Sequence, residues 1–135
     1  MSALKGIFMQ IVIICLFIAA VLPFLAKGPV AVAMHRLGGY DNKHPRSQQT
    51  ELTGFGARAL AAHQNAFEAL LLFATAAITA IASNQVSATV EVASIVFVVA
   101  RVAYNILYLL NLSTLRSISW AVGTVSCFVI LKQCI

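Results

Sequence analysis

The side chains able to do chemistry sit in otherwise apolar sequence: Arg58, His63, Asn65 and Glu68 in one stretch, Arg101, Tyr104 and Tyr108 in the next, and Arg116 just beyond. Arg58, Asn65 and Glu68 are spaced by seven and three, which puts them on one face of a helix with Ala61 and Ala62 filling the turn between. His63 stands two positions from Asn65 and points off that face, the position of a satisfied or interfacial histidine. Arg101, Tyr104 or Asn105, Tyr108 and Asn111 form a second stripe on the same logic. At about 1.5 Å per residue, Glu68 lies some 20 Å from Thr53 and Arg101 some 15 Å from Asn111, so the two charges match in depth as an ion pair. An unpaired charge in a membrane interior costs at least about 2.5 to 3.5 kcal/mol. Such groups persist where they face a bundle interior or a partner; the same Asn65, Glu68 and Arg101 can serve a site or lock helices together. Arg116, beside Tyr108, reads either as an anion binder or as a snorkelling anchor at the membrane surface.

The elements that carry these residues are membrane spans. With 61% hydrophobic and 10% charged residues and a mean hydropathy of +0.92, the chain has too few polar groups to cover a soluble surface. Four apolar segments, roughly 7–34, 52–82, 86–112 and 118–131, each approach or exceed the roughly 20 residues that cross a bilayer, the fourth with help from its flanks. The first is interrupted by Pro23 and by Lys27-Gly28-Pro29. They use up residues 1–135 as one all-α, integral membrane four-helix domain, with no room for a soluble domain.

The only long polar connection, 35–46, contains Gly38, Gly39 and Pro45, which break any helix there. The connections near 83–85 and 111–114 are short, so neighbouring helices run antiparallel in an up-down bundle. Arg36, Lys43, Arg46 and Arg116 fall on the side of the first and third loops, with Lys27 and Arg58 near it; the other side has Lys5 and Lys132. The positive-inside rule then puts those loops in the cytoplasm and both termini outside. The net charge of +5 is this bias, with attraction to anionic lipid headgroups, and calls for no nucleic-acid partner. The first apolar run exceeds the roughly 7 to 15 residues of a signal-peptide core, so it reads as a span. Cys15, Cys127 and Cys134 form no C-x-x-C pair and have no matched histidines, which argues against a metal or redox motif and for burial as small hydrophobes. Ser113 or Thr114 is a plausible cap for the last helix. In that helix Gly123 and Cys127 form a small-x-x-x-small pair suited to close packing, on the face that also carries Trp120.

Taken together, Pro45-Arg46, the run from Arg58 to Glu68, Ala100-Arg101 with Tyr104 and Tyr108, and Leu115-Arg116-Ser117 resemble the membrane-associated proteins in eicosanoid and glutathione metabolism, the MAPEG family, over nearly the whole chain. The Asn-x-x-Glu of Asn65 and Glu68 is the most specific part, and the likeness is to the short bacterial branch. The resemblance implies a homotrimer of four-helix subunits in a bacterial inner membrane, with glutathione held between neighbouring subunits. Carried over, Asn65 and Glu68 would bind the peptide portion of glutathione, with Arg58 and Arg101 beside them and Tyr104 and Tyr108 lining the cleft. Arg116, with Tyr108, would hold the thiolate for attack on a lipophilic substrate from the bilayer. The chain departs from the pattern at Ala61, where glutathione-using members carry an Arg, and in a Tyr108-to-Arg116 spacing one residue longer. The reading of another class is a non-enzymatic trimeric membrane protein that binds lipid or another apolar ligand, its polar cleft being structural.

Overall fold

The computed structural model describes residues 2–135 and is all-α: α1 (Ser2–His35), α2 (Pro45–Thr50), α3 (Gly54–Ala82), α4 (Ala88–Leu109) and α5 (Ser113–Lys132). The four long helices are each long and apolar enough to cross a membrane. Helices α3 and α4 pack against each other in the centre; α1 lies against both of them, and α5 lies against both as well. Side chains such as Phe17, Phe24 and Leu71 stay exposed; spread over the outside of every span, they form a lipid-facing surface rather than an isolated patch.

Small residues set the helix spacing. The buried positions of α3 include Ala59, Ala62, Ala66, Ala76, Ala77 and Ala80, a stripe that lets a neighbouring backbone approach closely. Gly56 extends it: a Cβ there would stand 2.9 Å from Leu52 Cδ2 and 3.0 Å from Ala33 Cβ. The main core lies toward the termini, where Val12, Cys15 and Ala19 of α1 meet Phe73, Val90, Phe97, Cys127 and Ile130. Phe73 and Phe97 stack at 4.1 Å between centroids and close that core beneath the polar half of the bundle. Hydroxyls within the spans bond back to their own helix, as Ser94 does to the Val90 carbonyl at 2.7 Å, so they need no solvent. Cys15 and Cys127 are buried and Cys134 half-buried, all as free thiols.

Three boundaries differ from the sequence reading. First, α1 runs unbroken through Pro23 and Pro29. A proline removes one N–H and crowds one carbonyl, a local loss that packing neighbours absorb inside a membrane. Second, Pro45 starts a helix instead of preventing one: it occupies the first turn of α2, where its missing N–H would have had no partner. Third, α5 begins at Ser113 with Leu112 as its N-cap and no side-chain cap bond, five residues before 118. Asn111 takes a left-handed conformation, φ +60°, which Asn tolerates, and so belongs to the connection rather than to the α4 stripe.

The loop before α2 is held by Gln48, which is buried. Its Nε2 donates to the carbonyls of Gly39 at 2.6 Å and Met34 at 3.2 Å, and its Oε1 accepts from the Asp41 backbone N–H at 3.0 Å. The Asp41 carboxylate in turn accepts from the backbone N–H groups of His44 at 3.0 Å and Lys43 at 2.8 Å. These bonds, the one from His44 first, hold the Asp41 pKa below its ordinary 3.8. A carboxyl with a depressed folded pKa contributes stability above its unfolded value and loses it as pH falls through the folded one. Acidification below about pH 4 is therefore expected to release this loop while the spans stay helical. Hydrogen exchange corrected for intrinsic rates would show it; equal protection of residues 41–48 at pH 7 and pH 3 would contradict it.

Candidate functional site

All the sequence-predicted residues but Arg58 come together in the half of the bundle that carries the first and third loops. Asn65 stands on α3 facing Arg101 of α4; Arg101 donates through a terminal N–H to Asn65 Oδ1 at 2.6 Å and to the Asn65 carbonyl at 3.4 Å. Asn65 Nδ2 donates to Glu68 Oε2 at 2.7 Å. Glu68 and Arg101 do not form the direct ion pair expected from their depths, since His44–Asp41 is the only pair within 4.0 Å among the described residues. The amide lies between them, offering an acceptor to the cation and a donor to the carboxylate at once. Arg101 is only 3% exposed, so this bond answers a desolvated charge.

The polar line continues along α4. The Arg101 guanidinium lies 4.0 Å from the centroid of the Tyr104 ring, an attraction between cation and ring face. Tyr104 meets Tyr108 edge-on at 5.5 Å, and the Arg116 guanidinium of α5 sits 4.3 Å over the Tyr108 ring. Glu68, Asn65, Arg101, Tyr104, Tyr108 and Arg116 thus form one continuous series of contacts across three helices. The left-handed turn at Asn111 brings Arg116 back over Tyr108 in spite of the extra residue between them. Arg116 makes no ion pair among the described residues, which leaves its N–H edge and its charge available.

Close approach of α5 to α4 depends on Gly123. A Cβ at that position would lie 3.3 Å from Arg101 Cδ and 3.7 Å from Ala100 Cβ, so the glycine makes room for the arginine side chain. Beside it a cavity of about 200 Å³ is lined by Asn65, Glu68, Leu72, Arg101, Trp120 and Thr124 among others. Sequence spacing put Trp120 on a packing face; in the fold it walls this cavity. Its only sequence signal was its place on the helix face of Gly123 and Cys127.

Other polar residues go elsewhere. Arg58 is on the Asn65 face of α3 but does not line the cavity, and its Nε is buried without a partner among the described residues. Ala61 adds no cation to the site. Asn105 turns away from the Tyr104 stripe: its Nδ2 donates to the Arg101 carbonyl at 2.9 Å, and it lines an apolar cavity against α1. His63 leaves the Asn65 face, as its spacing required, and its Nδ1 lies 2.8 Å from the Pro23 carbonyl. Because that oxygen only accepts, Nδ1 carries the proton.

The polar series thus ends in an open guanidinium over a phenol on one side and in a carboxylate hydrogen-bonded to Asn65 on the other, which offers a cation and an anion at separate points. In the comparison to family models, the MAPEG family matches residues 11–135. No curated protein and no solved structure matches the chain. With the match covering nearly the full length and four spans in place, this integral, multi-pass membrane protein belongs to the MAPEG family.

Proposed function

We propose that the protein is a glutathione-dependent transferase or peroxidase that acts on lipophilic electrophiles or hydroperoxides reaching it from the bilayer. The observation that carries this reading is the unbroken series from Glu68 to Arg116, ending in a guanidinium with no ion-pair partner among the described residues. Glu68 Oε2 is engaged by Asn65; its other oxygen is open to the ammonium of the γ-glutamyl group. Arg116 holds the sulfur as thiolate, and Tyr108 beneath it directs a phenol donor to the same region.

A free thiol has a pKa near 8.5, and lowering it by about two units takes about 2.7 kcal/mol of preferential thiolate stabilisation. A full positive charge in a partly dry cleft supplies an effect of that size. In transfer, the sulfur forms a bond to the electrophilic carbon and the leaving group departs with the electron pair. In peroxide reduction, two thiols give one disulfide while the hydroperoxide becomes an alcohol and water. Each route starts from the thiolate.

The cavity of about 200 Å³ in one protomer is below the roughly 300 to 1,000 Å³ of ordinary small-molecule sites. We therefore assign its completion to a neighbouring copy in a homotrimer. The excess of Arg and Lys on the first and third loops supports an orientation with those loops cytoplasmic and both termini outside.

The second reading, a non-enzymatic trimer whose polar cleft is helix glue, is favoured by the 2.6 Å bond that ties Arg101 to Asn65 and by the lack of a cation at Ala61. Calorimetry of glutathione with the detergent-solubilised protein, with native mass spectrometry for subunit number, separates the two. Saturable binding to a trimer supports the enzyme. No heat at millimolar glutathione from an intact trimer supports the structural protein.

A further inference from the structure

A second polar cavity, of about 330 Å³, lies on a different face of α3, where Lys27 of α1, Tyr40 of the first loop, Arg46 and Gln49 of α2, and His63 and Gln64 of α3 converge. Its two cations come from different helices, and no carboxylate lines it. Neither Lys27 nor Arg46 forms an ion pair among the described residues. Of these six side chains only His63 is hydrogen-bonded within the described protein, to the Pro23 carbonyl. The cavity therefore presents two positive charges, two amides and a phenol to whatever occupies it. That donor set, without a competing acid, fits a phosphate ester.

The wall toward the bilayer gives the occupant its second half. Phe67, which also lines the cavity, meets His63 edge-on at 5.4 Å and Phe24 of α1 at 6.1 Å. Phe24 is 71% exposed and Phe67 44%, so the ring pair forms an apolar ledge directly below the cationic group. A ligand that satisfies both has a phosphate head and an acyl tail. We infer that this cavity is a binding site for the phosphate headgroup of an anionic phospholipid, with its acyl chain laid along Phe24 and Phe67. Within one protomer the site uses none of Asn65, Glu68, Arg101, Tyr104, Tyr108 and Arg116, so it is separate from that polar series. If the first loop faces the cytoplasm, it meets the leaflet that carries the anionic lipid.

The same phosphate chemistry is available from a soluble ester, and a diffuse attraction of basic loops to lipid would give a weaker version of the effect. Native mass spectrometry of the full-length protein, titrated with dioleoyl phosphatidylglycerol, tests the assignment. The expected result is a resolved bound lipid, outcompeting phosphatidylcholine, whose affinity falls about twenty-five-fold in Lys27→Gln/Arg46→Gln, as expected for two surface cations at about a factor of five each. The charge-conserving Lys27→Arg/Arg46→Lys pair should retain the lipid and shows that the fold tolerates change there. Lys43→Gln, outside the cavity, should leave affinity unchanged; an equal loss in that variant would overturn the site in favour of diffuse attraction. Displacement by glycerol phosphate or inorganic phosphate at concentrations equal to the lipid would overturn the lipid assignment. Displacement by glutathione would overturn it by making the cavity part of the thiol site.

Discussion

Arg116→Ala is expected to raise the pKa of a bound glutathione thiol by about two units and to lower kcat/KM by about a hundredfold at pH 7, the rate equivalent of about 2.7 kcal/mol. The oligomer should remain intact. The reason is local: Arg116 rests on the Tyr108 ring at 4.3 Å without an ion pair among the described residues, so its removal deletes an unneutralised charge and breaks no buried bond. Arg116→Lys keeps the charge but not the flat guanidinium that stacks on the phenol, and should recover only part of the loss. The thiolate absorbance of bound glutathione followed across pH reads the shift directly. An unchanged thiol pKa in Arg116→Ala, with glutathione still bound, would remove Arg116 from the chemistry and return it to the membrane surface as an anchor.

Asn65→Leu is expected to be the most destabilising single change in the polar layer. Arg101 is 3% exposed, and its shortest polar contact is Asn65 Oδ1 at 2.6 Å. Interhelical hydrogen bonds between uncharged groups in membranes average about 0.6 kcal/mol, whereas orphaning a buried charge costs about 3 to 5 kcal/mol. Arg101 would keep the Asn65 backbone carbonyl at 3.4 Å and the Tyr104 ring at 4.0 Å, which places the expected cost between these bounds, at about 2 to 3 kcal/mol. Glu68→Gln, by contrast, preserves an acceptor for Asn65 and leaves Arg101 untouched, so it should cost under about 1 kcal/mol. Removing both partners in Asn65→Leu/Arg101→Leu should restore most of the loss. Unfolding in detergent for these three variants and for Arg101→Leu checks this; additive losses in the double variant would mean that the Asn65–Arg101 bond does not carry the coupling. The result matters for function because the same bond sets the position of the cavity wall.

The comparison of Glu68 with Asn65 shows where linear reasoning stops. Depth along two helices is a one-dimensional quantity, and it paired Glu68 with Arg101 correctly as neighbours in height. Which atom of α3 actually meets the guanidinium depends on the rotation of each helix about its axis. That rotation is set by the small-residue stripe of α3 and by Gly123 of α5, which makes room for the arginine. The amide, one turn away from the carboxylate, takes the contact. The same rotation sends Asn105 toward α1 while Tyr104 and Tyr108 stay in line, a choice left open by their nearly equal spacing.

Hydrophobicity and charge are sums over residues, and they determined the membrane class, the number of spans, the short connections and the side on which the cations gather. Spacing on a helix is set by the backbone alone, and it was enough to put Asn65 with Glu68 and to turn His63 away from them. Motifs spread along the chain were enough for the family. Only the tertiary structure decided that Asn65 mediates between Glu68 and Arg101, that Trp120 walls the cavity, that Gln48 holds a short helix at Pro45, and that Lys27 and Arg46 share one cavity. Each of these joins residues from separate segments through side-chain directions and distances of a few ångströms, which emerge only when the helices have packed.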